Sequence, residues 1–99
     1  MAESIGQAKL IRRLTSEGWH VTKIIATSRR GFPDLLCFRS GDRPMLIECK
    51  TSGKRPTIQQ QAMLNQLREF GCIAVAWDVD NDTILSDRHI PKADTQNLF

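Results

Sequence analysis

Two acids and a lysine stand out by type and spacing. Asp34 closes Gly31-Phe32-Pro33-Asp34, directly before the apolar run Leu35-Leu36-Cys37-Phe38. Glu48 and Lys50 close a second run, Met45-Leu46-Ile47-Glu48-Cys49-Lys50. If the two runs pair as a hairpin, the three charged groups converge on one end of a sheet. Side chains alternate faces along a strand, so Glu48 and Lys50 share a face while Cys49 points the other way with Met45 and Ile47. Such a set suits phosphodiester hydrolysis. Hard Mg²⁺ or Mn²⁺ prefers carboxylate and carbonyl oxygen, which Asp34, Glu48 and the backbone carbonyl of Cys49 can supply. The metal would polarise the phosphate and activate a water, and Lys50 would orient or deprotonate that water or, if it stays protonated, stabilise developing charge. Each piece alone has a plainer reading: Glu-x-Lys as a solvated strand face, Pro-Asp as a turn. The ordered set of turn, strand, turn, strand and Glu-x-Lys raises the chemical reading.

The positioning elements follow from periodicity. Residues 3–17 read as a helix, with Gln7, Leu10, Ile11 and Leu14 on one face and Gly18 as its stop. Glu3 continues the inward face at the helix start, or simply favours that start through the helix dipole. Trp19–Ile25 reads as a strand rich in aromatic and β-branched residues. Pro33 holds Phe32 extended, so Gly-Phe-Pro-Asp is a turn into a strand over 34–38. Ser40-Gly41-Asp42-Arg43-Pro44 is a turn into the strand Met45–Lys50. After a basic loop over 51–56, Thr57 caps a helix over 58–70 with a Met63, Leu64, Leu67 and Phe70 stripe, ended by Gly71. Cys72–Trp77 is a continuous apolar run, expected as a strand covered on both faces and parallel to the strand before the helix. Thr83–Leu85 is a candidate edge strand, and residues 91–99 a polar tail after a single unit over 1–90. The expected fold class is α/β: a mixed sheet flanked by helices.

Composition sets the bounds. The chain has 99 residues, 40% hydrophobic and 25% charged, which is one domain of ordinary globular make-up with a small core. A net charge of +3 suits a polyanionic partner without demanding one. Cys37, Cys49 and Cys72 form no Cys-x-x-Cys pair and sit in apolar runs, which points to reduced thiols and neither a disulfide frame nor a zinc site. No signal-like or membrane-length apolar run is present, so a cytoplasmic, non-secreted location is expected. Asp78-x-Asp80-x-Asp82 imitates a calcium loop, but Thr83 stands where glycine is required and His89 where glutamate is required; a turn is expected.

Gly31-Phe32-Pro33-Asp34, then Ile47-Glu48-Cys49-Lys50-Thr51, then Gln60 resembles the VRR-NUC family of the PD-(D/E)XK nuclease superfamily. The resemblance runs from about Glu3 to Trp77. It implies a restriction-endonuclease-like αβββαβ core and a metal-dependent DNA endonuclease. A chain little larger than that core resembles stand-alone, virus- or phage-type members, which would place it in host cytoplasm and make it a homodimer resolving four-way (Holliday) or other branched DNA. By position, the resemblance makes Asp34 and Glu48 metal ligands, Lys50 the catalytic lysine, Glu3 an outer-shell metal contact and Gln60 the motif glutamine. Three consecutive glutamines leave Gln59 as the alternative, and Thr57-Ile58-Gln59-Gln60 also reads as a capping box in which Gln60 reaches back to the cap. Arg29, Arg30, Lys54 and Arg55 flank the motifs and are candidate DNA contacts; Lys9, Arg12 and Arg13 read as solvated surface. Trp77 and the segment after it are candidates for a dimer surface. The competing class is a nucleic-acid-binding module with little cleavage of its own, active only with a partner.

Overall fold

The computed structural model describes residues 5–85. Two helices, α1 (Ile5–Ser16) and α2 (Ile58–Glu69), pack with five strands: β1 (His20–Lys23), β2 (Leu35–Phe38), β3 (Met45–Lys50), β4 (Ile73–Asp78) and β5 (Thr83–Ile84). The strands form one sheet in the order β1-β2-β3-β4-β5. β1, β2 and β3 are antiparallel neighbours, β3 and β4 run parallel, and β5 returns antiparallel on the outer edge. The sheet is therefore mixed, as the order of sequence elements requires.

The two helices cover opposite faces. The Cys49 thiol meets the side chain of Gln7 on α1, whereas Glu48, which alternates with Cys49 along β3, meets Gln60 on α2. Covered on both sides, β4 is buried along its whole length and β3 over Met45–Glu48. The core joins Leu10 and Leu14 of α1, Trp19, Leu35, Cys37, Met45, Ile47, Leu64 of α2 and the β4 residues. Burial pushes the Cys37 and Cys49 thiols up to about 12, so both are packing groups without thiolate character at neutral pH. All three cysteines are free.

Several boundaries differ from the sequence reading. β1 ends at Lys23 instead of Ile25. Beyond it only the Ile24 N–H finds β2, at the Asp34 carbonyl (2.7 Å). Pro33 has no N–H to return, and the Asp34 N–H is turned to the Ile47 carbonyl on the other side (3.0 Å). Phe70, read as part of the inward stripe of α2, is the C-cap and points to solvent at 72% exposure; Leu64 is the buried anchor. Trp77 is 6% exposed and offers no dimer surface. The Arg13 guanidinium lies 5.5 Å above its ring, and its indole N–H donates to Asp82 Oδ1 at 3.1 Å. Arg13, which also pairs with Asp82, is thus a structural cation joining α1 to the β4–β5 turn.

Leu64→Ala should lower unfolding free energy by about 2–5 kcal/mol, because it empties a fully buried site. Phe70→Ser should change it by less than about 0.5 kcal/mol. Denaturant titration of both variants checks the helix register; equal losses would contradict it.

Candidate active site

The site is built at the end of β3. Gly31 turns the chain at φ +79°, and a Cβ there would stand 3.0 Å from the Gln59 carbonyl oxygen and 3.3 Å from the Gln60 nitrogen. Glycine is therefore required both for the left-handed conformation and for close approach to the first turn of α2. Buried Pro33 follows, and the turn delivers Asp34 beside β3. The Asp34 N–H donates to the Ile47 carbonyl (3.0 Å), and its Oδ2 accepts the Cys49 N–H (2.8 Å). A carboxylate thus replaces the backbone acceptor that a longer β2 would have offered to Cys49. Within an extended strand a residue's N–H and C=O point the same way, so the Cys49 carbonyl faces the same edge.

Glu48 is 4% exposed. Its Oε2 accepts from Gln60 Nε2 (3.0 Å) and lies 3.4 Å from Lys50 Nζ. Its Oε1 is buried and has no hydrogen-bond donor. Burial first, and then the negative charge of Asp34, push the Glu48 carboxyl up to about 7, against the opposing pull of Lys50. The Asp34 and Glu48 carboxyls can hydrogen-bond to each other only while one of them carries a proton. Two apposed acids, one desolvated and with an undonated oxygen, form an arrangement that a divalent cation would neutralise. The donor set fits Mg²⁺ or Mn²⁺: two carboxylates and the Cys49 carbonyl, all hard oxygen. Among the described residues no group of three or more His, Cys, Asp or Glu side chains gathers as a metal cluster, so a cation here would lean on backbone oxygen and water, as Mg²⁺ commonly does. Glu3 lies outside the described residues.

Gln60, and not Gln59, reaches Glu48. It also completes the capping box: its Oε1 accepts the Thr57 N–H, and the Thr57 hydroxyl accepts the Gln60 N–H. Gln60 thus caps α2 and contacts Glu48 at the same time. Arg29, Arg30, Lys54 and Arg55 are all exposed. The Gly31 contact sets the Arg29–Arg30 turn against the start of α2, directly after the loop that bears Lys54 and Arg55. That loop is tethered from the other side, in a way the sequence did not signal. Ser52 N–H donates to Asp80 Oδ2 (2.8 Å), and Asn81 Nδ2 donates to the Ser52 hydroxyl (3.3 Å). Asp78 stiffens the tether by accepting the Asp80 and Asn81 amides (3.0 Å each), and hydrogen bonds from Asn81 hold its carboxyl below the usual range. The aspartate run that imitates a calcium loop is thus a turn.

A helix, three antiparallel strands, a helix and a parallel strand, with acids gathered at the end of the central strand, define a restriction-endonuclease-like α/β core. The VRR-NUC domain model matches residues 4–81, and the chain belongs to that family. It is accordingly a nuclease-type hydrolase that acts on DNA, of a kind that is typically metal-dependent. Comparison with curated proteins gives no match, and comparison with solved structures gives none either. No described helix is long and apolar enough to cross a membrane.

The raised Glu48 carboxyl has a consequence for stability. Its folded value of about 7 exceeds its ordinary 4.5, so between those limits the folded chain holds a proton that the unfolded chain has released. In chelator, stability should therefore fall as pH rises from about 4.5 to about 7, by on the order of 3 kcal/mol at most. Glu48→Gln should remove that component. Denaturant titrations across pH check this; superimposable profiles for the two proteins would contradict it.

Proposed function

We propose that this chain is a Mg²⁺- or Mn²⁺-dependent, structure-selective DNA endonuclease that resolves four-way or other branched DNA by phosphodiester hydrolysis. The observation that carries the reading is the Glu48 carboxylate: buried, apposed to Asp34, and with one oxygen that no protein donor satisfies. A structural acid in that position would have been given a donor, because an undonated buried oxygen is costly. Pure DNA binding would not gather acids that repel phosphate, which sets the binding-module reading aside.

In this reading Asp34, Glu48 and the Cys49 carbonyl hold the cation. Asp34 is fixed by the Cys49 amide and Glu48 by the Gln60 carboxamide, so neither must reorganise when charge develops. When bound, the cation supplies charge neutralisation at the scissile phosphate and a more acidic water. Lys50, held beside Glu48, orients the attacking water and takes its proton as the neutral amine, or as the ammonium donates to a non-bridging phosphate oxygen while the proton of the water passes to solvent. Attack is in line by water, with no covalent intermediate; the chain contains no tyrosine, so a phosphotyrosine intermediate is excluded. Arg29, Arg30, Lys54 and Arg55 contact backbone phosphates on either side. Glu3 is assigned an outer-shell role toward the cation. Paired cuts in a two-fold symmetric junction require two sites, so the working unit is a homodimer of the nuclease unit over residues 1–90, with 91–99 as a tail.

Cleavage of a labelled four-way junction and of a linear duplex of the same sequence, each with Mg²⁺, Mn²⁺ or chelator, tests this. Wild type should make paired, metal-dependent cuts in the junction, and Lys50→Ala should slow them by about 10²–10³-fold. Equal cutting of both substrates would overturn the junction preference. Tight binding without metal-dependent cutting would overturn the nuclease reading itself.

A further inference from the structure

The Gln60 carboxamide is engaged at both ends. Its Oε1 accepts the Thr57 backbone N–H at 2.9 Å, and its Nε2 donates to Glu48 Oε2 at 3.0 Å. One end of a carboxamide only accepts and the other only donates. Turned over, Gln60 would set oxygen against the Glu48 carboxylate and NH₂ against the Thr57 N–H, exchanging two bonds for two repulsions. The Thr57 N–H therefore selects which way the amide faces. That N–H is presented by the cap: Thr57 sits at φ −70° and ψ 168°, and its hydroxyl accepts the Gln60 N–H at 3.1 Å. Helix capping by itself would be served equally by glutamate at position 60, since either side chain can reach back to the cap amide. A glutamate there would abut Glu48, so the pairing of a threonine cap with glutamine serves the acid as well as the helix.

We infer that Thr57 is a positioning residue of the nuclease site: its hydroxyl closes the capping box and so fixes the cap whose Thr57 N–H holds the Gln60 carboxamide in the orientation that donates to Glu48 Oε2, leaving Glu48 Oε1 as the oxygen without a donor. The inference rests on the assignment of Glu48 to the site and extends it to a residue that touches neither substrate nor cation. Thr57 acts through Gln60, and it ties the start of α2, where the basic loop ends, to the acid on β3.

Three variants separate positioning from helix stability. Thr57→Val removes the hydroxyl and keeps the shape. Thr57→Ser restores it. Ala62→Gly weakens the same helix at an exposed position, through glycine's backbone freedom alone. Each is assayed on junction DNA well below its unfolding midpoint, and the Gln60 side-chain NH₂ is followed by ¹⁵N NMR and hydrogen exchange without metal or DNA. Thr57→Val should lower kcat roughly 10-fold or more with KM little changed, and should lose protection of the Gln60 NH₂. Thr57→Ser should restore both readouts, and Ala62→Gly should leave both near wild type. Wild-type kcat with a protected carboxamide in Thr57→Val, or an equal fall in Ala62→Gly, would overturn the inference. If wild type cut no DNA at all, the nuclease reading would fall, and the carboxamide protection would still decide whether the Thr57 hydroxyl orients Gln60.

Discussion

The rest of the structure depends on a carboxylate held out of water beside a second one. Glu48 stands at the end of the central strand with its side chain almost wholly buried, and Asp34 is brought up against it from the next strand. Burying a charge is expensive unless it is paired or donated to. The surroundings offset that cost only in part. Gln60 and Lys50 both attend to one oxygen of Glu48, and the other is left without a donor. Such incomplete satisfaction is uncommon in protein interiors, and it is what a hard cation would complete.

Each local peculiarity of the chain traces to this arrangement. Gly31 is needed because the turn before Asp34 presses on the first turn of α2. Pro33 ends the exchange with β1 and lets the Asp34 amide turn toward β3. Asp34 then serves twice, as the last ladder donor to Ile47 and, through its side chain, as the acceptor for Cys49. The cap of α2 orients the amide that steadies Glu48. The β4–β5 turn holds the basic loop after β3 through Ser52. The Arg13–Trp77–Asp82 contact fastens α1 to that same turn.

The hairpin and its acids were legible because they depend on short-range rules: alternation along Met45–Lys50, turn residues before it, and proline before Asp34. The cap at Thr57 was legible for the same reason, and the parallel return of β4 followed from the helix between. What escaped depends on contacts between residues far apart in sequence. Among three glutamines in a row the capping-box spacing from Thr57 singles out Gln60, but that its carboxamide also reaches Glu48 depends on the packing of α2 on β3. Phe70 matched the inward stripe of α2, but the helix ends at that residue and the C-cap turns it outward. Trp77 read as available surface, and Arg13 as solvated, because neither reveals the other. The role of the Cys49 amide was also hidden, since an acid that accepts from the backbone two elements away leaves no mark on spacing.

Binding of Mn²⁺ to the DNA-free protein, measured by calorimetry near pH 7.5 on wild type, Asp34→Asn and Glu48→Gln, tests the central claim most directly. The account predicts saturable binding to wild type that is accompanied by proton release and weakened at least ~10-fold in both variants, because a carboxylate ligand must be deprotonated to bind. Equal affinity in all three proteins, or no binding to wild type, would contradict it.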